Sequence, residues 1–270
     1  MFSIIMKTQE CFCAVTRWSK TVSAAGVFLF LILVSGCRQE AKKIQTWYDE
    51  QKTVIKEEYY VKQTDPEVRQ GPYRQFYRNG NLMEEKYYDN GRLEGRVVLY
   101  DEEGNKKEEA EYKGGRLHGK RTLFFPNGKP EIEETYANDQ FEGPYTGYYE
   151  NGNLRQQGQY VNGAMGGLWK FYYESGKLKE EVEYKDNVEN GSYRSYYENG
   201  QLDAEGTFKN GLKEGAWKYY YENGKLMAEG NYKNGFENAR EKRYNEQGDS
   251  TQTIYYRNGL PEVINHRLPQ

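Results

Sequence analysis

Residues 215–238, GAWKYYYENGKLMAEGNYKNGFEN, are one copy of a pattern that recurs every 24 residues. With Gly71 as the first residue of a unit, later units open at Gly95, Gly119, Gly143, Gly167, Gly191 and Gly215, and Ala239 opens an eighth, degraded copy. No insertion breaks the register, so residues 24 apart must find equivalent surroundings. Nine places into every unit stands a glycine: Gly80, Gly104, Gly128, Gly152, Gly176, Gly200, Gly224 and Gly248. Asparagine precedes five of them, and a second glycine column twenty places in is filled by Asp139 and Asn187 where glycine is missing. These residue types tolerate positive φ. Asn-Gly between alternating apolar runs signals a two-residue hairpin turn. Each unit is therefore read as two strands and two tight turns. In the unit 215–238 the strands are 217–222 and 225–232, and the turns are Asn223-Gly224 and Asn234-Gly235.

A two-residue first turn sets the faces of the sheet. Residues two, four and six places into a unit share a side with those at eleven, thirteen and fifteen. In the fifth unit that groups Trp169, Phe171 and Tyr173 with Leu178, Glu180 and Val182. The seventeenth place joins them and is aromatic in every copy, as at Tyr160, Tyr184 and Tyr232. The other side carries one aromatic column at the fifth place, including Tyr148, Tyr172, Tyr196 and Tyr220. The same register sets Arg74 opposite Glu85, Lys170 opposite Glu181, Arg194 opposite Glu205 and Lys218 opposite Glu229. Such cross-strand pairs contribute ~0.2–1 kcal/mol each. The expected fold is all-β, an elongated antiparallel meander of stacked hairpins. Sixteen strands at ~4.8 Å would span roughly 75 Å. An isolated hairpin is marginal in water, so stability must come from stacking unit on unit. With 27 tyrosines and 29 glycines among 270 residues, the composition suits a thin aromatic sheet better than a thick aliphatic core.

The first 36 residues have a different character. Lys7, Arg17 and Lys20 precede an uncharged run at 21–36, TVSAAGVFLFLILVSG, too short to span a bilayer and suited to a signal peptide. Met6 is a second candidate start. Residues 34–37, VSGC, resemble the bacterial lipobox, which implies cleavage before Cys37 and its lipidation. Cys11 and Cys13 would leave with the peptide, so the mature chain could form no internal disulfide. Two or more acyl chains anchor a protein stably, at ~0.8 kcal/mol per buried methylene. Loss of residues 1–36 removes three cations and Glu10, leaving a net charge near −5 that argues against nucleic acid as a partner. Arg38 follows the cysteine where some bacteria place the aspartate that retains lipoproteins in the inner membrane, so the outer membrane is preferred. Residues 37–52 are read as a polar tether, 53–70 as a capping strand and loop, 71–263 as the repeat array and 264–270 as a tail.

Units of the form G-x-[YW]-x-x-[YF]-Y-x-N-G-x-L-x-x-E-x-x-Y-x-N-G resemble the MORN repeat, in the variant grouped with YwqK-family antitoxins. Gly143, Tyr145, Tyr148, Tyr149, Asn151, Gly152, Leu154, Tyr160, Asn162 and Gly163 carry the likeness. The third and eighth units depart most, with Pro126 and Pro130 beside one turn and Glu241, Asn245 and Ser250 at aromatic or leucine places. The resemblance implies stacked hairpins acting as a scaffold or contact platform.

The residues offer little chemistry. His118 and His266 are the only histidines, far from any cysteine, so no metal site, cofactor site or catalytic constellation is expected. Neighbouring carboxylates such as Glu180 and Glu181 point to opposite faces and cannot act as an acid/base pair. The aromatic columns remain: Tyr148, Tyr172, Tyr196 and Tyr220 on one side, and Trp169, Tyr173, Trp217, Tyr221, Tyr160, Tyr184 and Tyr232 on the other. They serve either to pack the sheet or to receive a partner, first a protein or peptide and second a glycan. Three functions are weighed: a protein-binding scaffold, a glycan or peptidoglycan binder, and an antitoxin or immunity protein. The exported amino terminus argues against the third, and a protein or peptide partner is the first choice.

Overall fold

The computed structural model describes residues 41–257 and 259–262. Cys37, His266 and the tail lie outside them, as does the whole of the signal segment. The described residues hold no helix. They form one antiparallel sheet of 21 strands, from Ala41–Trp47 to Leu260–Glu262, paired in chain order except that Arg92–Leu93 and Phe236–Glu237 each lie along the same partner as the strand that follows them.

The pairing in the middle of each hairpin is the one the repeat demands. In the seventh repeat Trp217 faces Gly230, Lys218 faces Glu229 and Tyr219 faces Ala228. The turn beyond is different from the expected one. Tyr221 N–H donates to Lys225 O at 2.9 Å and Gly224 N–H to Tyr221 O at 2.8 Å, closing a three-residue loop in which Gly224 alone has positive φ, +79°. This is a type I turn completed by a G1 bulge. All eight first turns share it, and none of their asparagines lies at positive φ. The bulge shifts the pairing so that Tyr220 faces Leu226 and the strand ends at the fifth place. The sixth place therefore leaves the aromatic floor. Asn234 and Gly235, by contrast, both have positive φ, so the second turn is the two-residue hairpin loop read from the sequence.

Asparagine occupies the first turn because of its side chain. Asn223 Oδ1 accepts the N–H of Lys225 at 2.9 Å, and its amide donates to Glu246 O in the next repeat at 3.3 Å. Asn79, Asn127, Asn151 and Asn199 reach the same carbonyl of their following repeats. The sixth-place tyrosines add a second link. The hydroxyls of Tyr77, Tyr149, Tyr173, Tyr197 and Tyr221 donate to backbone carbonyls 23 residues on, at 2.7–2.9 Å. Along the other edge, Gly235 N–H donates to Lys213 O, and equivalent bonds recur from repeat to repeat. Both edges of the ribbon are thus stitched between repeats, which is where an array of marginal hairpins must find its cooperativity.

In the third to seventh repeats the first strand starts five residues before the expected point. Leu212–Tyr220 begins at the second turn and passes through Gly215, φ +70°. There Thr207 faces Glu214 and Glu205 faces Lys218, so three residues, 215–217, lie across from Gly206 alone. This bulge swings the Trp217 ring over Gly206, which has no side chain to obstruct it.

The segment read as a tether is a strand. Ala41–Trp47 pairs with Ile55–Lys62, and Tyr48 donates to Phe76 O at 2.8 Å just as the sixth-place tyrosines do. It is half of a degenerate repeat whose longer loop hides the period. Two of the expected charge pairs are long contacts and one is short: Arg74–Glu85 and Arg194–Glu205 at 3.9 Å, Lys170–Glu181 at 2.8 Å. Lys218 instead approaches Glu205 at 3.9 Å, and Glu229 accepts the Tyr244 hydroxyl.

Candidate functional site

The aromatic floor is a core. Trp169 and Trp217 are 1% exposed, and rings pack around them: Tyr145, Tyr160, Phe171 and Tyr184 about the first, Tyr193, Phe208, Tyr219 and Tyr232 about the second. Centroid separations of 5.1–6.4 Å, mostly edge-to-face or offset, are the favoured ring geometries. Trp217 Nε1 donates to Thr207 O at 3.2 Å. Lys213 closes this box: its ammonium lies 4.3 Å from the Trp217 ring centroid, with the Tyr219 and Tyr232 centroids at 5.0 and 5.3 Å. Arg69 does the same over Tyr59, Tyr73 and Tyr88, while Met165 covers the Trp169 cluster. In the third repeat the floor turns ionic, with Arg121 bridging Glu108 at 2.7 Å and the buried Glu134 at 2.8 Å.

The hydroxyls of the opposite column are engaged as well. Tyr148, Tyr196 and Tyr220 donate to Glu133, Glu181 and Glu205 at 3.2, 3.1 and 2.8 Å, and Tyr172 accepts from Gln157 at 2.9 Å. Burial, followed by the hydrogen bond to Glu205, pushes the Tyr220 phenol up to about 12. Tyr173 and Tyr221 lie at the first-turn edge as links between repeats. The structure therefore distributes the aromatic residues over core, face and edge and engages the hydroxyls of the face and edge tyrosines, while the buried Trp169 Nε1 has no partner among the described residues. It gathers them into no shared cleft.

No group of three or more metal-ligating side chains occurs among the described residues. His118 sits half-buried in the Arg116–Phe124 strand, and its Nδ1 has no partner among the described residues.

A surface not singled out by the turn and aromatic columns stands out instead. The exposed large hydrophobics are Tyr87, Val161, Leu168, Val188, Leu212, Phe236, Tyr255 and Leu260. Register places every one on the face opposite the tryptophans, beside the second-turn edge. Four of them, Val188, Leu212, Phe236 and Leu260, occupy the same place in consecutive repeats, and Phe236 and Leu260 are 62% and 72% exposed. Each faces a cation across its turn: Lys185, Lys209, Lys233 and Arg257. Earlier repeats put Arg92, Arg116, Gln140 and Ala164 in the apolar place. The signal was present in KNGL, KNGF and RNGL, where an apolar residue follows a turn glycine.

Comparison with known proteins gives a family and little more. No curated protein matches the chain. The solved structure titled TcdB2-TccC3-Cdc42 is 11% identical over 80% of this chain and 14% of that one, with a TM-score of 0.17. The Tc holotoxin pore of Photorhabdus luminescens is 10% identical over 79% and 15%, at 0.18. TcdB2-TccC3 is 12% identical over 83% and 17%, at 0.15. The chain spans under a fifth of these much longer chains. The family profile is decisive: seven copies match at 69–90, 93–113, 117–138, 141–162, 165–186, 189–210 and 213–234, each a hairpin closed by a first turn, and the protein belongs to the MORN repeat variant family.

Proposed function

We propose that the protein is an exported lipoprotein, anchored through Cys37, whose repeat array is a non-catalytic scaffold that binds another protein at the bacterial envelope. One observation carries the binding reading. The tyrosines and tryptophans are engaged in holding the array together, whereas exposed apolar residues gather in one band beside Lys185, Lys209 and Lys233, which stand in no ion pair among the described residues. An apolar band in register over several repeats marks an interaction surface. VSGC at 34–37 supports the anchor, and its preference for the outer membrane rests on Arg38. An exported protein cannot neutralise a cytoplasmic toxin, which sets the YwqK-like antitoxin role aside. A glycan binder would need free ring faces, and the half-buried columns offer few.

The test is growth with a labelled fatty acid followed by membrane fractionation, for the native chain and for Cys37→Ser. The expected result is label in the membrane-bound native protein and neither label nor membrane retention in the variant. An unlabelled, freely soluble native protein would overturn the anchor. Retention on isolated cell wall after lipid extraction would favour the glycan alternative.

A further inference from the structure

We propose that the apolar row Val188, Leu212, Phe236 and Leu260 seats an acidic amphipathic helix of a partner protein whose apolar residues recur every seven positions. This rests on the scaffold reading and names the partner's chemistry. Equivalent residues of successive repeats are two strands apart, about 9.6 Å at ~4.8 Å per strand. Seven residues of α-helix advance about 10.5 Å at 1.5 Å per residue, so three intervals accumulate only about 3 Å of mismatch, within side-chain reach. An extended strand places same-side residues about 6.7 Å apart and falls out of step after one interval.

Charge selects the sign of the partner. In the middle of this face Lys170 pairs with Glu181 at 2.8 Å, and Arg194 and Lys218 share Glu205 at 3.9 Å. At the edge Arg257 is held by Glu262, but Lys185, Lys209 and Lys233 stand in no ion pair among the described residues. The nearby carboxylates of Glu183 and Glu214 are bound to the backbone N–H groups of Ser192 and Asn234. Three free ammonium groups at repeat spacing beside an apolar row call for an acidic, apolar ligand. A second copy of the same row would bring cation against cation.

The test uses the full-length protein in detergent and a fluorescent designed 22-residue helix with leucine at positions 1, 8, 15 and 22, flanked by glutamates. Anisotropy is expected to report saturable binding that weakens at least tenfold when the leucines are moved to every fifth position. Leu212→Ser with Phe236→Ser, and separately Lys209→Glu with Lys233→Glu, should each weaken it at least tenfold while the thermal melt stays in place. Equal binding by the row variants, indifference to leucine spacing, or tight binding to vesicles containing anionic phosphatidylglycerol that these variants abolish would each overturn the proposal. If a photocrosslinker at Leu212 captures a protein in cells and the designed helix does not bind, this inference fails while the scaffold reading stands. If no adduct forms at any surface position, the scaffold reading itself fails.

Discussion

Gly206 is where the account of the core can be tested most sharply. Its backbone lies outside the positive-φ region, so alanine meets no conformational barrier. A Cβ there would come within 2.7 Å of Trp217 Cγ and closer still to Cδ2 and Cε2, in a place where the indole is 1% exposed and cannot withdraw. Forcing one methyl into a filled core costs about 1–3 kcal/mol. In a domain of this size each kcal/mol shifts Tm by roughly 2–4 °C, so Gly206→Ala should lower Tm by roughly 2–12 °C. Gly230 occupies the same place one repeat later, but the nearest atom to its Cβ would be Glu241 Cγ at 3.6 Å. Gly230→Ala should therefore be neutral or stabilising by up to about 1 kcal/mol through loss of unfolded-state freedom. One repeat before Gly206, Val182 faces Trp169 on one side and Tyr193 on the other. Copying that arrangement with Gly206→Val and Trp217→Tyr together should recover most of the lost stability. Thermal melts followed by circular dichroism give all three values. Equal Tm values for Gly206→Ala and Gly230→Ala would refute the claim that ring-over-glycine packing sets these positions.

Ala239 has φ 69° where seven earlier repeats carry glycine, and an L residue there costs about 1–2 kcal/mol, partly offset by glycine's greater chain entropy. Ala239→Gly should raise stability by about 0.5–1 kcal/mol, read in hydrogen exchange of the last two hairpins. Phe125 lacks the hydroxyl that its sixth-place counterparts use, so Phe125→Tyr should gain a bond to Tyr148 O and about 0.5–1.5 kcal/mol, visible in a denaturant melt. The Glu109 carboxylate is held at about 2 by hydrogen bonds from Arg96 and then Lys106. Because its folded value lies below the ordinary 4.5, its stabilisation is complete above that pH and is lost as pH falls toward 2. With a third of the side chain exposed the effect is about 1 kcal/mol or less, and Glu109→Gln should flatten acid unfolding across that window.

The sequence made the period, the hairpins and the mid-strand register legible, because 24-residue spacing with Asn-Gly punctuation admits little else. It misled at the first turn. Asn-Gly there denotes a type I turn whose asparagine bridges to the next repeat, and the residue pair alone does not report φ. That single bulge moved Tyr173 and Tyr221 from floor to edge. Trp169 and Trp217 stayed open between packing the sheet and receiving a partner because a single sheet has no second layer to hide them. The glycines at 158 and 206, with the bulge opposite each, allow the sheet to bury them within its own surface. Residues 41–47 read as a tether since their loop breaks the period, although Tyr48 keeps the repeat's hydrogen bond. The apolar row was in plain view in KNGL and KNGF but was outweighed by the far denser aromatic columns.

The most direct measurement is site-specific photocrosslinking in living cells, with the photoreactive residue placed at Leu212 in one strain and at Tyr232 in another. Leu212 lies on the exposed row and Tyr232 in the closed box beneath Lys213. The account predicts a discrete protein adduct from position 212 and none from 232. An adduct from 232 with position 212 silent would show that the aromatic floor, and not the row on the other face, meets the partner.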